Sequence, residues 1–246
     1  MRSSAGLIGI VVVGAACAST PGAEPHDMSA AQHEAMAASD EKTAAAHHSQ
    51  YDPGARQKVC GGGDPKGRGI ACWRAVVQSN EEHRRLEEKH RKMATDHRAA
   101  SQALRDAEAR SCRGIPEEDR DISPFTYRED IASVKPLIVT PPPPVKGGSS
   151  LSPAPVLRGA IIEFDAVPGM TEQWLQRVID CHLARNSVLG HNVPEMEYCP
   201  LVPKGVTADV TATATGFEVR VDSTDGETAR EVLRRAESLM ARSSVP

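Results

Sequence analysis

The stretch from Ser79 to Gly114 constrains this chain most. It is an uninterrupted helix-forming run whose seam, read every seven positions, carries His83, His90, His97 and Leu104. Ser79 with Glu82 reads as a capping box, and Gly114 with Pro116 as a C-terminal stop. Opposite charges recur at four-residue spacing: Glu81 with Arg85, Glu87 with Arg91, Glu88 with Lys92, Asp106 with Arg110. Each pair stabilises a helix by only about 0.2–0.5 kcal/mol. At about 1.5 Å per residue the run makes a rod of roughly 50 Å. A helix so long and so polar needs a partner.

The partner is predicted just upstream. Ser29 with Gln32 is a second capping box, opening an Ala-rich helix that runs to Gln50 and stops before Asp52-Pro53-Gly54. Between the two helices lies a Gly-rich tip from Cys60 to Cys72, whose Gly-Gly-Gly-Asp-Pro-Lys-Gly lacks the following Ser or Thr of a phosphate loop. Antiparallel pairing through this tip, with facing residue numbers adding to about 130, sets His47 against His83 and Asp40 against His90. The same register sets Met36 near Met93 or Ala94, and His33 against His97. Cys60 and Cys72 fit it as well and are expected to form a disulfide.

Imidazole nitrogen suits zinc, copper and nickel, and thioether sulfur suits Cu(I). His33, Met36, His47, His83, His90, Met93 and His97 are therefore candidate ligands, with Asp40 as a carboxylate partner. Histidines seven apart on one helix stand about 10 Å apart and cannot chelate one ion alone, so a site would need both helices. The same residues also fit a polar seam that binds nothing, or one that loosens on acidification as facing imidazoles gain charge.

The N-terminus gives an address. Arg2 and the apolar stretch Ala5 to Ala16 read as a signal peptide over residues 1–16. Gly14-Ala15-Ala16-Cys17 resembles the lipobox of bacterial lipoproteins, with Gly14 where that family usually has an aliphatic residue. The resemblance implies lipidation of Cys17 (palmitate among the chains), residues 17–28 as a tether, and a membrane partner reached through that anchor. Ala18 after the cysteine implies the outer membrane, facing the periplasm.

Export makes disulfides the default for cysteines. Five remain after Cys17, an odd number, so one is free, metal-bound or paired between chains. Cys181 and Cys199 are expected to pair, although His182, His191 and Met196 beside them leave a second metal site open; Cys112 is the expected odd residue.

After Gly114, Ser123-Pro124 reads as the start of a short helix to Val134, completing a hairpin domain over residues 29–135. Residues 136–156, with four consecutive prolines, read as a linker. Residues 157–246 then alternate as strand, helix, strand, strand, helix, and the fold class is α+β: a long antiparallel helical hairpin plus a small, loosely ferredoxin-like C-terminal domain. Unlike heavy-metal-associated domains of that topology, Val167 to Thr171 contains no Cys-x-x-Cys.

No nucleophile elbow, His-Glu-x-x-His or dinucleotide fingerprint occurs, so an enzyme is not expected. A net charge of −4 with mixed signs gives no case for nucleic acid. The expected function is metal binding in the cell envelope, as a buffer or accessory protein. The alternative is a scaffolding lipoprotein that docks an envelope protein partner without metal.

Overall fold

The computed structural model describes residues 28–63, 66, 68–76, 78–141 and 154–241. The signal peptide, the lipobox with Cys17, the tether up to residue 27, the side chain of Ser79 and the proline run lie outside the described residues. Over the described residues the chain is α+β, with five α-helices and two antiparallel sheets.

Helix α1 (Ala30–Gln50) starts at a complete capping box. The Ser29 hydroxyl accepts from the Gln32 amide at 3.1 Å, and the Gln32 side chain accepts from the Ser29 amide at 2.8 Å. A short antiparallel ribbon follows, β1 (Arg56–Gly61) with β2 (Ala71–Val76), closed by a Cys60–Cys72 disulfide. Helix α2 (Gln78–Ser111) then runs back along α1.

The two helices meet along a seven-residue repeat. On α1 the buried face is Ala30, His33, Ala37, Asp40 and Ala44. On α2 it is Asn80, Glu87, Ala94, Ser101 and Leu104, with His83, His90 and His97 half-buried between them. Alanine spacers let the helices approach closely, so polar side chains from opposite helices must meet. At one end the Asn80 amide donates to the Asp52 carbonyl and accepts from the Asp52 amide, both at 2.7 Å. At the other the buried Ser101 hydroxyl donates to the Ala30 carbonyl at 3.1 Å.

A one-turn helix α3 (Glu117–Arg120) leads to the second unit. The short helix expected over residues 123–134 is absent. The Ser123 carbonyl instead accepts from the Thr126 amide at 3.0 Å in a turn that drives Phe125, fully buried, into the core. Strand β3 (Ile131–Val139) crosses the expected boundary at residue 135 and takes in the start of the expected linker. It pairs with β4 (Val156–Asp165), so the sheet's first strand comes from the segment read as hairpin domain and linker. Pro136 is tolerated because β3 is an edge strand, where a missing amide donor leaves no ladder bond unmade.

After β4 come α4 (Glu172–Val188), β5 (Val206–Ala212), β6 (Gly216–Ser223) and α5 (Gly226–Ala241). The strand order is β3-β4-β6-β5, antiparallel throughout. Alternate residues Ala160, Ile162 and Phe164 of β4 and Phe217, Val219 and Val221 of β6 pack with Leu175 and Ile179 of α4 and Val232, Ala236 and Leu239 of α5. Both helices therefore cover one face of the sheet.

The expected Cys181–Cys199 disulfide does not form. Cys112, expected to be the odd cysteine, pairs with Cys181, and Cys199 is free and fully buried. The reason is that α4 has two buried stripes. Leu175 and Ile179 face the sheet, where Cys199 also packs, while Trp174, Val178 and Cys181 face the end of α2 with Cys112 and Ile115. Arg185, next on the second stripe, pairs with Glu108 of α2 at 2.8 Å and with Asp121. The hairpin is thus bonded covalently to the sheet unit.

Candidate functional site

Six residues of the seam form a line of titratable groups between α1 and α2. His33 and His97 bring their Nδ1 atoms within 2.9 Å, and His47 and His83 bring theirs within 3.1 Å. Between these rungs, His90 Nδ1 lies 2.8 Å from Asp40 Oδ1, while Asp40 Oδ2 faces His97 Nε2 at 4.0 Å. Asp40 is only 5% exposed, and its Oδ2 is buried without a hydrogen-bond partner. The His47 and His90 rings stack at a centroid separation of 6.0 Å.

In each His–His rung one nitrogen donates and the other accepts, which requires at least one neutral ring. Protonating both members removes the acceptor and faces two cations across the rung. A tetrahedral ion with ligand bonds of about 2.0–2.1 Å holds its nitrogens about 3.3 Å apart. To take one, each rung would have to open by a few tenths of an ångström and turn both rings, because nitrogens that face each other along a hydrogen bond do not converge on a tetrahedral ion. Among the described residues, no group of three or more His, Cys, Asp or Glu side chains is already arranged to hold a metal ion. A rung supplies two protein ligands, and further ligands would come from solvent or from movement of Asp40.

Two expected ligands fall outside this line. Met36 is 40% exposed, because the buried repeat on α1 steps from His33 to Ala37 and leaves position 36 beside the seam. Met93 is half-buried one position before the buried Ala94. Glu87 forms the expected pair with Arg91 at 2.6 Å, but it is also buried on the seam and accepts from His48 at 3.0 Å, which its charge pairing alone did not indicate. Its place in the repeat, four residues after His83, was the available signal.

The second cluster does not converge. Cys181 is in a disulfide, Cys199 is buried in the core, and His191 Nδ1 pairs with the Val202 carbonyl at 2.9 Å. His182 is buried, and its Nε2 has no hydrogen-bond partner. Burial lowers its pKa from the ordinary histidine value, against the raising effect of the Asp119 and Ile122 carbonyls, with smaller opposed effects from Arg185 and Asp121.

A cleft of about 890 Å³ opens where α2 meets α4, with Arg110, Arg113, Arg177 and Lys204 on its walls and Asp180 as the acid. Its charge has a structural account. Arg110 lies in the last turn of α2, where cations complement the helix dipole, and Arg177 donates to the Arg113 carbonyl and stacks on Trp174.

Acidification is expected to loosen the packing around His182. A histidine whose folded pKa is lowered binds its proton more readily when unfolded, so stability from His182 falls as pH drops below the ordinary value of about 6.5. In His182→Gln the fall in urea midpoint between about pH 7.5 and pH 5 should be smaller than in the parent, and an equal fall would remove His182 as its cause.

Compared with protein-family models, curated proteins and solved structures, the chain matches none.

Proposed function

We propose that this is an exported, lipid-anchored protein of the bacterial envelope whose helical seam binds a transition metal ion, copper, zinc or nickel, as a buffer or accessory protein rather than an enzyme. The supporting observation is the pair of interhelical rungs, His33 with His97 and His47 with His83, whose Nδ1 atoms approach within 2.9 and 3.1 Å. Asp40, with one buried oxygen lacking a hydrogen bond, is the carboxylate best placed to complete a site at His97. Lipidation at Cys17 and the outer-membrane address rest on the signal sequence. The loosely ferredoxin-like reading of the C-terminal unit carries no functional weight, because topology alone does not assign activity.

The test is calorimetric titration of the oxidised chain from Ala18 to Pro246 with Zn(II), Ni(II) and Cu(II), and with Cu(I) anaerobically under an external chelator. The comparison protein carries His83→Gln, His90→Gln and His97→Gln. Stoichiometric binding that this variant loses is the expected result. Binding that is absent, or equal in both proteins, would leave the histidines as seam residues and return the function to a metal-free scaffold for an envelope protein.

A further inference from the structure

The ribbon at the hairpin tip is built unlike the rest of the molecule. Among the described residues, its strands pair with each other and pack on no other element to any appreciable extent. In a chain of net charge −4, residues 56–76 hold five cations, Arg56, Lys58, Lys66, Arg68 and Arg74, against one acid, Asp64.

The register sorts these residues by face. Cross-strand partners share a side of a two-stranded ribbon, and successive residues alternate. One face takes Arg56, the Lys58–Arg74 pair and the Cys60–Cys72 disulfide. The other takes the Val59–Trp73 and Gly61–Ala71 pairs, with Trp73 over Gly61. Trp73 is 52% exposed, and Ile70 at the end of the loop is 53% exposed. The ribbon is amphipathic with both faces open.

Two of these features are unfavourable in isolation. Lys58 and Arg74 stand directly opposite, where like charges repel. A tryptophan left half in water forgoes its burial. Lying within an anionic headgroup layer, with the Trp73 face toward the acyl chains and the Lys58–Arg74 face among the phosphates, relieves both at once.

We propose that the disulfide-closed ribbon is a binding element for an anionic lipid surface, with Trp73 and Val59 entering the interface and Lys58, Arg74 and Arg56 meeting lipid phosphates. Size favours a bilayer over a protein partner. Six residues per strand give a face roughly 20 Å by 10 Å, about 200 Å², against the ~800 Å² per partner of a stable protein interface. A bilayer has no such threshold. Aromatic side chains settle at its headgroup level, and each cation near an anionic leaflet strengthens binding about fivefold.

The test uses the chain from Ala18 to Pro246 without lipidation, carrying Trp174→Phe so that Trp73 is the remaining tryptophan. Its sedimentation with vesicles of phosphatidylcholine alone is compared with vesicles of equal parts phosphatidylcholine and phosphatidylglycerol, and Trp73 emission is followed. The expected result is at least tenfold tighter binding to the anionic vesicles with a blue shift. Lys58→Glu with Arg74→Glu should lose at least tenfold, and Trp73→Ser severalfold, with the Cys60–Cys72 disulfide and helix content retained in each. Equal affinity for both vesicles, or none for either, would overturn the proposal without recourse to the variants. Binding to inorganic polyphosphate that matches vesicle binding and ignores Trp73→Ser would overturn the lipid assignment in favour of a soluble polyanion.

Discussion

A chain with Cys112→Ala and Cys181→Ala is expected to lose about 4 kcal/mol of stability, a fall of roughly 10 °C in Tm for a protein of this size, and to melt in two steps instead of one. The disulfide closes a loop with a sequence separation of 69. In the chain-entropy account its contribution comes from restricting the unfolded chain, and it grows with loop length. The Cys60–Cys72 bond closes only 12 residues, so removing it should cost about 3 kcal/mol, confined to the tip. What remains at the junction is the small cluster of Ile115, Trp174 and Val178, the Arg177 bond to the Arg113 carbonyl, and the Arg185 pairs with Glu108 and Asp121, partly exposed ion pairs worth about 1 kcal/mol each. Calorimetry of the oxidised double variant provides the check. A single transition within about 3 °C of the parent would show that the junction holds without its bond.

Gly159→Ala is the other large effect. Gly159 lies in β4 at a φ of +148°, and a Cβ placed there would sit 2.0 Å from the Val221 carbonyl oxygen on β6 and 3.4 Å from Val232 of α5. The obstacle is the backbone of a neighbouring strand, which cannot rotate away. Separating β4 from β6 would break the central pairing of the sheet, and the cost expected is roughly 3–5 kcal/mol, combining backbone strain with overpacking. Gly169→Ala is the control. Its φ is +85° but nothing lies within 4 Å of the added carbon, so it should cost only about 1–2 kcal/mol. Similar urea midpoints for the two variants would show that φ strain alone, and not the clash, governs Gly159.

The seam was readable because its repeat is spelled out along α2, where the residue every seven positions is histidine. That spacing leads directly to the His33–His97 and His47–His83 contacts. Met36 misled because it lies three residues from His33, an acceptable helical spacing, but the closer-packed Ala37 owns the seam. Ser123-Pro124 misled because a helix N-cap and a turn use the same residues, and only the burial of Phe125 in a distant core decides between them. The cysteine pairing was beyond local reasoning. Cys181 and Cys199 are the nearer pair in sequence, yet α4 stands between them, and its two stripes become distinct only once α2 is docked on one side and the sheet on the other.

The repeat that made the seam readable also makes it ambiguous to itself. Alpha-1 offers His33, Asp40 and His47, and α2 offers His83, His90 and His97, both at heptad spacing. A slide of one heptad, about 10 Å, would return Asp40 and His47 to a histidine and hand His33 to Leu104. Both settings are already touched. Asp40 reaches His90 at 2.8 Å and His97 at 4.0 Å, and His47 lies 5.4 Å from the ring of His83 and 6.0 Å from that of His90. Alanine spacers put no large knobs in the way. The register is therefore fixed by its ends and not by the repeat itself: Asn80 on Asp52 and the ribbon disulfide at one end, Ser101 on Ala30 and the Cys112–Cys181 bond at the other.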